Sequence, residues 1–289
     1  MNAAAGSGPE DGVADALDRA AAVIGSARSV ALACHVGPDG DALGSMLALH
    51  HALLRAGVES VASFPEPFTV AEHYRGLPGL DRLRPPGEFP AEPEVMVTFD
   101  CGSLSRLGDL EPSAKGATEL VVIDHHVSNE RYGTINVVDP AAAASGVVVR
   151  RLLDRLGLPL DREIATCLYV ALVCDTGRFQ YEATDASVFA LAGELAAFGL
   201  PIATLSRQLF EEHSFAYLRL LSEVLGRVEL RTDVALVWTS VTQADLTRHG
   251  VAFDEVEGLI DVVRRAREAE VACVLKEAEI GRHRLNSSH

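Results

Sequence analysis

The chain has 289 residues, 48% of them hydrophobic and 23% charged, with a formal net charge of −16. These totals fit a soluble globular protein of one large domain or two ordinary ones. The charge excludes a broad basic face for gripping long duplex nucleic acid, because that binding rests on neutralising many phosphates. A small phosphorylated substrate stays open, provided metal ions supply the local positive charge.

The N-terminal MNAAAGSGPEDG is small and polar, with neither a basic start nor an apolar run, and the first dozen residues are expected to be disordered. No stretch approaches the length of a membrane-spanning helix, so a cytoplasmic protein without a membrane partner is expected. Residues 13–27 read as a helix. SVALACH (29–35) reads as a buried strand that ends in a polar cluster. A helix follows over 40–57, closed by Gly57, with His50 and His51 on a partly exposed face. VESVASF (58–64) is the next strand, and the Pro-rich 84–94 is a loop. VMVTFD (95–100) and ELVVID (119–124) are two more apolar runs, each ending in a carboxylate. Helices are predicted over 144–157, 161–174 and 185–198. Strands alternating with helices predict an α/β fold with a largely parallel sheet, whose ligands gather at the carboxyl ends of the strands. FGLP (198–201) marks a break, and 204–225 reads as helical. RVEL (227–230), VALVWTS (234–240) and EVACVLKE (270–277) are strands of a second, smaller unit. The division is therefore 13–198, a helical linker 199–226, and a partial domain 227–289. The five cysteines form no CxxC pair and read as reduced, mostly buried thiols.

The chemistry concentrates in four clusters. HVGPDGDALGS (35–45) places His35, Asp39 and Asp41 at a strand-to-helix turn tightened by Pro38 and Gly40. Taken alone, this is equally an Asp-rich turn that caps a helix. Asp100 ends the strand VTFD, and Asp124, His125 and His126 end the strand VVID. Adjacent histidines preceded by an acid at a strand end are rarely packing residues. Asp175 closes an apolar helix, where a carboxylate opposes the helix dipole and so points to another use. Aspartate and histidine without cysteine select hard or borderline cations, Mn²⁺ first and Mg²⁺ second, and speak against a structural zinc site. Two histidines and four carboxylates suit two cations about 3.5–4 Å apart.

These motifs, in this order, resemble the DHH phosphoesterase superfamily, over roughly residues 15–277. The length and spacing look most like its bacterial branch of oligoribonucleases and phosphatases of 3′-phosphoadenosine 5′-phosphate (pAp). The resemblance implies an N-terminal DHH domain joined to a smaller α/β substrate-binding domain. It implies hydrolysis of short RNA oligomers, of pAp, or of cyclic-dinucleotide products by a water that two metals activate. One metal is assigned to His35, Asp39 and Asp100, and the other to Asp41, Asp100, His125 and Asp175, with Asp100 bridging. His126 contacts the scissile phosphate. Asp124 orients a ligand histidine through its free ring nitrogen. Arg106 matches an arginine that follows the second motif, and it either holds phosphate or forms a surface salt bridge.

The family's second domain normally continues past a strand like EVACVLKE into an arginine-containing strand and a GGGH segment. Here GRHRLNSSH (281–289) stands instead. The expectation is an incomplete substrate clamp that keeps metal binding and loses much of its affinity for oligonucleotides. Two alternatives remain open. One is a manganese inorganic pyrophosphatase of the same superfamily, although its Ser-Arg-Lys-type segment is not found. The other is a nucleotide-binding regulatory module, although none of the six candidate ligands is missing. The oligomeric state is left open, a homodimer included.

Overall fold

A computed structural model describes residues 9–277. The expected disorder of residues 1–8 and the expectation for GRHRLNSSH (281–289) lie outside the described residues. Helix α1 (Pro9–Ser26) leads into β1 (Ser29–Cys34), α2 (Gly40–Arg55), β2 (Glu59–Ser63) and β3 (Val95–Phe99). After these come α3 (Glu111–Gly116), β4 (Glu119–Asp124), β5 (Ile135–Val138), α4 (Ser145–Leu156), α5 (Arg162–Asp175) and α6 (Ala186–Ala196). The rest is α7 (Ile202–Phe210), α8 (Phe215–Leu225), β6 (Glu229–Arg231), β7 (Leu236–Val241), α9 (Gln243–His249), α10 (Leu259–Val263) and β8 (Val271–Lys276). Residues 9–12 are therefore helical and not disordered. Strand β5 was not foreseen, since four residues are too few for a pattern to show. The stretch 204–225 is two helices. The amides of Glu211 and Glu212 both bond back to the Arg207 carbonyl, and Ser214 caps the new helix through the Tyr217 amide.

The described residues fall into two compact units. One runs to Ser206 without Ala71–His73; the other is those three residues and the chain from Arg207. The first unit holds a sheet ordered β2-β1-β3-β4-β5, parallel throughout. One face carries Ala31, Ala33 and Met96 and is covered by Leu107, Leu110 and Ala114. On α2 every residue from Gly40 to Leu53 is buried, because the helix contacts the sheet, α4 and α5 together.

That burial corrects the reading of His50 and His51, which are 2% and 1% exposed. His50 Nδ1 meets Ser60 Oγ at 2.9 Å. Burial first, then His51 and Arg82, push the His50 pKa down to about 4, so this histidine is neutral. A helix covered on all sides has no solvent face on which to display a charge.

Helices α2 and α5 meet at backbone distance. A Cβ on Gly44 would lie 2.4 Å from the Cys167 carbonyl oxygen and 3.0 Å from the Ala171 amide nitrogen. Neither backbone atom can rotate away. Gly44→Val is therefore expected to cost about 3 kcal/mol of unfolding free energy, read from the urea midpoint. An unchanged midpoint would show that the helices can separate without penalty.

The second unit contains a sheet ordered β6-β7-β8, antiparallel and then parallel. Tyr217, Leu220, Val224, Val241, Leu246 and Leu259 form its core. Arg227 donates to the Ser240 carbonyl at 2.7 Å and pairs with Asp245, which closes a capping box with Thr242 at the start of α9. No described helix is long and apolar enough to cross a membrane.

Candidate metal centre

Strand register brings the first three clusters together. Cys34 pairs with Phe99, and Phe99 with Ile123, so the residues that follow, His35, Asp100 and Asp124, leave the sheet side by side. The sheet order reverses direction between β1 and β3, the kind of crevice where open parallel sheets bind ligands.

From β1 the chain turns through Pro38 into α2. Asp39 is the N-cap: its Oδ1 accepts the amides of Asp41 at 3.1 Å and Ala42 at 3.0 Å. Its Oδ2 lies 4.0 Å from His35 Nε2. The capping reading and the ligand reading of this aspartate thus hold together, one for each oxygen. Asp41, in the first turn of the helix and fully buried, accepts from Ser45 Oγ at 3.0 Å and from the amides of Ser145 at 2.6 Å and Gly146 at 2.9 Å.

Asp100 sits at the middle. Its φ of 53° lies in the left-handed region, which a non-glycine residue adopts at a cost and which turns the side chain off the strand direction. Oδ2 is 3.6 Å from His35 Nε2. Oδ1 is 3.6 Å from His125 Nε2 and 3.4 Å from His126 Nδ1. Burial opposes the charge on Asp100, but His35, His126 and His125 outweigh it and hold the carboxyl below its usual range. Burial likewise opposes a charge on His35, and the Asp100 and Asp39 carboxylates outweigh it, raising its pKa.

Asp124 ends β4 with its carboxylate engaged by the chain. Oδ1 accepts the amides of His125 at 2.7 Å and His126 at 3.0 Å, and meets His126 Nδ1 at 2.7 Å. Oδ2 accepts from Asn129 Nδ2 at 2.5 Å. This corrects the expected pairing: the histidine that Asp124 orients is His126. The ring of His125 is set by the Ala142 carbonyl, 3.2 Å from Nδ1. The bond to Asp124 lifts the His126 pKa to about 9, so that ring is cationic near neutral pH.

Asp175 enters from the end of α5, its Oδ2 3.1 Å from His125 Nε2. Burial, then Asp100 and Asp39, push its pKa up to about 8. Asp41 is raised by burial and by the carboxylates of Asp100 and Asp175.

The residues fit a divalent cation. His125 Nε2 is buried without a hydrogen-bond partner although three carboxylate oxygens lie within 4 Å: those of Asp100 at 3.6 Å and Asp41 at 3.9 Å are too far for a hydrogen bond, and that of Asp175 at 3.1 Å is out of line for one. His35, Asp39 and Asp100 bring ligand atoms within 4.8 Å of one another, and so do Asp41, His125 and Asp175. All six proposed ligands thus meet in one place. Arg106 is exposed on the 3-10 stretch Leu104–Leu110, its carbonyl bonded by the Val36 amide beside His35. Among the described residues its guanidinium makes no salt bridge. Two contributors had no sequence signal. Ser145 follows an alanine run and reads as one more small residue, and Asn129 reads as a loop residue.

Residues 29–172 match the model of the DHH family, N-terminal domain. A bifunctional oligoribonuclease and PAP phosphatase from Thermus thermophilus is 31% identical over 252 residues, covering 86% of this chain and 73% of the relative. The chain belongs to the DHH family. It is a metal-dependent phosphoesterase, and Asp124-His125-His126 lies within the matched residues. A probable bifunctional oligoribonuclease and PAP phosphatase of Streptococcus mutans is 24% identical over 253 residues, covering 87% of this chain and 78% of the relative. Among solved structures, an exopolyphosphatase-related protein of Bacteroides fragilis has the same fold, with a TM-score of 0.85 at 23% identity. That match covers 92% of this chain and 80% of the other.

Proposed function

We propose that this DHH phosphoesterase hydrolyses short oligoribonucleotides and pAp with two divalent cations, Mn²⁺ in the cell, and that it works in the cytoplasm. The observation that carries the reading is the division of Asp100. One oxygen faces His35 and Asp39, and the other faces the His125 side, where Asp41 and Asp175 also stand. His35, Asp39 and Asp100 would hold one cation; Asp41, Asp100, His125 and Asp175 would hold the other. When bound, the pair supplies an acidified water for attack on phosphorus and positive charge for the phosphoryl oxygens.

The chain's own groups do the rest. Asp124 keeps His126 protonated and fixed at Nδ1, so that its Nε2 donates to a non-bridging phosphoryl oxygen. Arg106 adds a second positive contact at the rim. Asn129 ties Asp124 to the Cys101 carbonyl, which keeps the acid from swinging toward the cations. The unit from Arg207 onward is assigned to gripping the nucleotide end. The names carried by the Thermus and Streptococcus relatives favour this substrate class over pyrophosphate.

The test is hydrolysis of pAp, an RNA dinucleotide and pyrophosphate, side by side in Mn²⁺, with Asp100→Asn as the blank. Turnover of pAp or the dinucleotide is expected. Turnover of pyrophosphate alone would move the assignment to the pyrophosphatase class.

A further inference from the structure

Asp41 is fully buried, and its acceptor positions are nearly used up by the chain. Oδ1 takes two donors, the Ser45 hydroxyl and the Gly146 amide. Oδ2 takes one, the Ser145 amide, and lies 3.9 Å from His125 Nε2. A carboxylate oxygen has two lone pairs in its plane. Asp41 is therefore left with a single free position, on Oδ2, on the side of His125. Asp100 is loaded unequally in the same way. The Ser145 hydroxyl donates to Oδ1 at 3.1 Å, while Oδ2 faces His35. One residue, fully buried at the first turn of α4, thus touches both acids, one through its amide and the other through its hydroxyl.

We propose that Ser145 is a positioning residue that orients Asp41 and Asp100, so that each presents one defined oxygen to the cation beside His125. The inference rests on the two-cation reading above. The geometry makes it selective. The hydroxyl holds Oδ1 of Asp100, the oxygen that faces His125, and among the described residues no hydrogen bond links Ser145 to Asp100 Oδ2, His35 or Asp39. Gly146 lets α4 come close enough for this, since a Cβ there would stand 2.7 Å from Ala171 Cβ and 3.5 Å from Asp41 Oδ1. Outer hydrogen bonds of this kind commonly tune metal affinity by about 10–100-fold.

The experiment is a calorimetric Mn²⁺ titration of the metal-free full chain, with free Mn²⁺ counted by electron paramagnetic resonance. Wild type should bind two cations, and His125→Ala identifies the class that belongs to its side. Ser145→Ala should weaken that class about 10–100-fold and leave the other within about twofold. Ser145→Thr, which keeps the hydroxyl, should restore most of the loss. Should Ser145→Ala fail to fold, Ser145→Cys carries the same test, because it keeps the side-chain size and the amide on Asp41 while the thiol is only a weak donor to Asp100. Equal weakening of both classes, no weakening, or failure of threonine to restore would overturn the positioning role while leaving the metal centre intact. Wild type binding fewer than two cations would overturn the metal centre itself, and this inference with it.

Discussion

Asp100→Asn is expected to lower turnover by about 10³-fold or more, a loss on the order of 4 kcal/mol of transition-state stabilisation. Asparagine is the right probe for three reasons. It tolerates the left-handed backbone that Asp100 adopts at φ 53°, so the chain path survives. Its side-chain oxygen can still accept from Ser145 Oγ, as Asp100 does at 3.1 Å. What is removed is the charge, together with one of the two oxygens that face His35 and His125. Both halves of the proposed centre lose a ligand at once, so Mn²⁺ stoichiometry should fall alongside kcat. A variant that keeps kcat within tenfold of wild type and still binds two cations would show that Asp100 does not bridge.

Stripping the protein of divalent cations is expected to lower its stability, more at pH 8 than at pH 6. Asp41 and Asp175 have folded pKa values raised by burial and by neighbouring carboxylates, Asp175 to about 8. In the unfolded chain an aspartate ionises near about 4. A group raised in the folded state disfavours folding progressively as pH climbs from its unfolded value to its folded one. Without cations, stability should therefore decline between about pH 4 and pH 8. Cations remove the repulsion: a site filled at about 100 times its Kd contributes about 2.7 kcal/mol. A rise in Tm of several degrees on adding Mn²⁺ should follow. Asp175→Asn separates the two effects. Its metal-free form should be more stable than metal-free wild type at pH 8, by about 2 kcal/mol after allowance for its partial exposure, while its gain from Mn²⁺ shrinks. Urea unfolding at the two pH values, with and without Mn²⁺, reads all of this. A metal-free Asp175→Asn protein less stable than metal-free wild type would show that the carboxylate serves the fold rather than the cation.

Much of this centre could be read in the sequence because strands announce their ends. An apolar run that stops at His35, Asp100 or Asp124 puts a polar side chain at the carboxyl edge of a parallel sheet, whatever the neighbours are. Asp39 and Asp41 followed from the turn chemistry before α2, and Asp175 from a charge at the unfavourable end of a helix. Periodicity marked α4, α5 and α6 within a residue or two of their bounds.

What depended on neighbours could not be read there. His50 and His51 look like a polar helix face until α2 is covered by the sheet, α4 and α5, and burial is a property of the whole packing. The partner of Asp124 was decided by the turn after β4, which swings His126 Nδ1 onto the carboxylate and hands His125 to the Ala142 carbonyl. Ser145 carries no mark in its own segment; its role exists only because Gly44 and Gly146 let three helices close to backbone distance around Asp41. The sequence by itself determined which groups stand at the strand and helix ends, because each end is set by local chain chemistry. The tertiary structure alone decided which oxygen of each acid remains free for a cation, because every competing donor arrives from a different element of the fold.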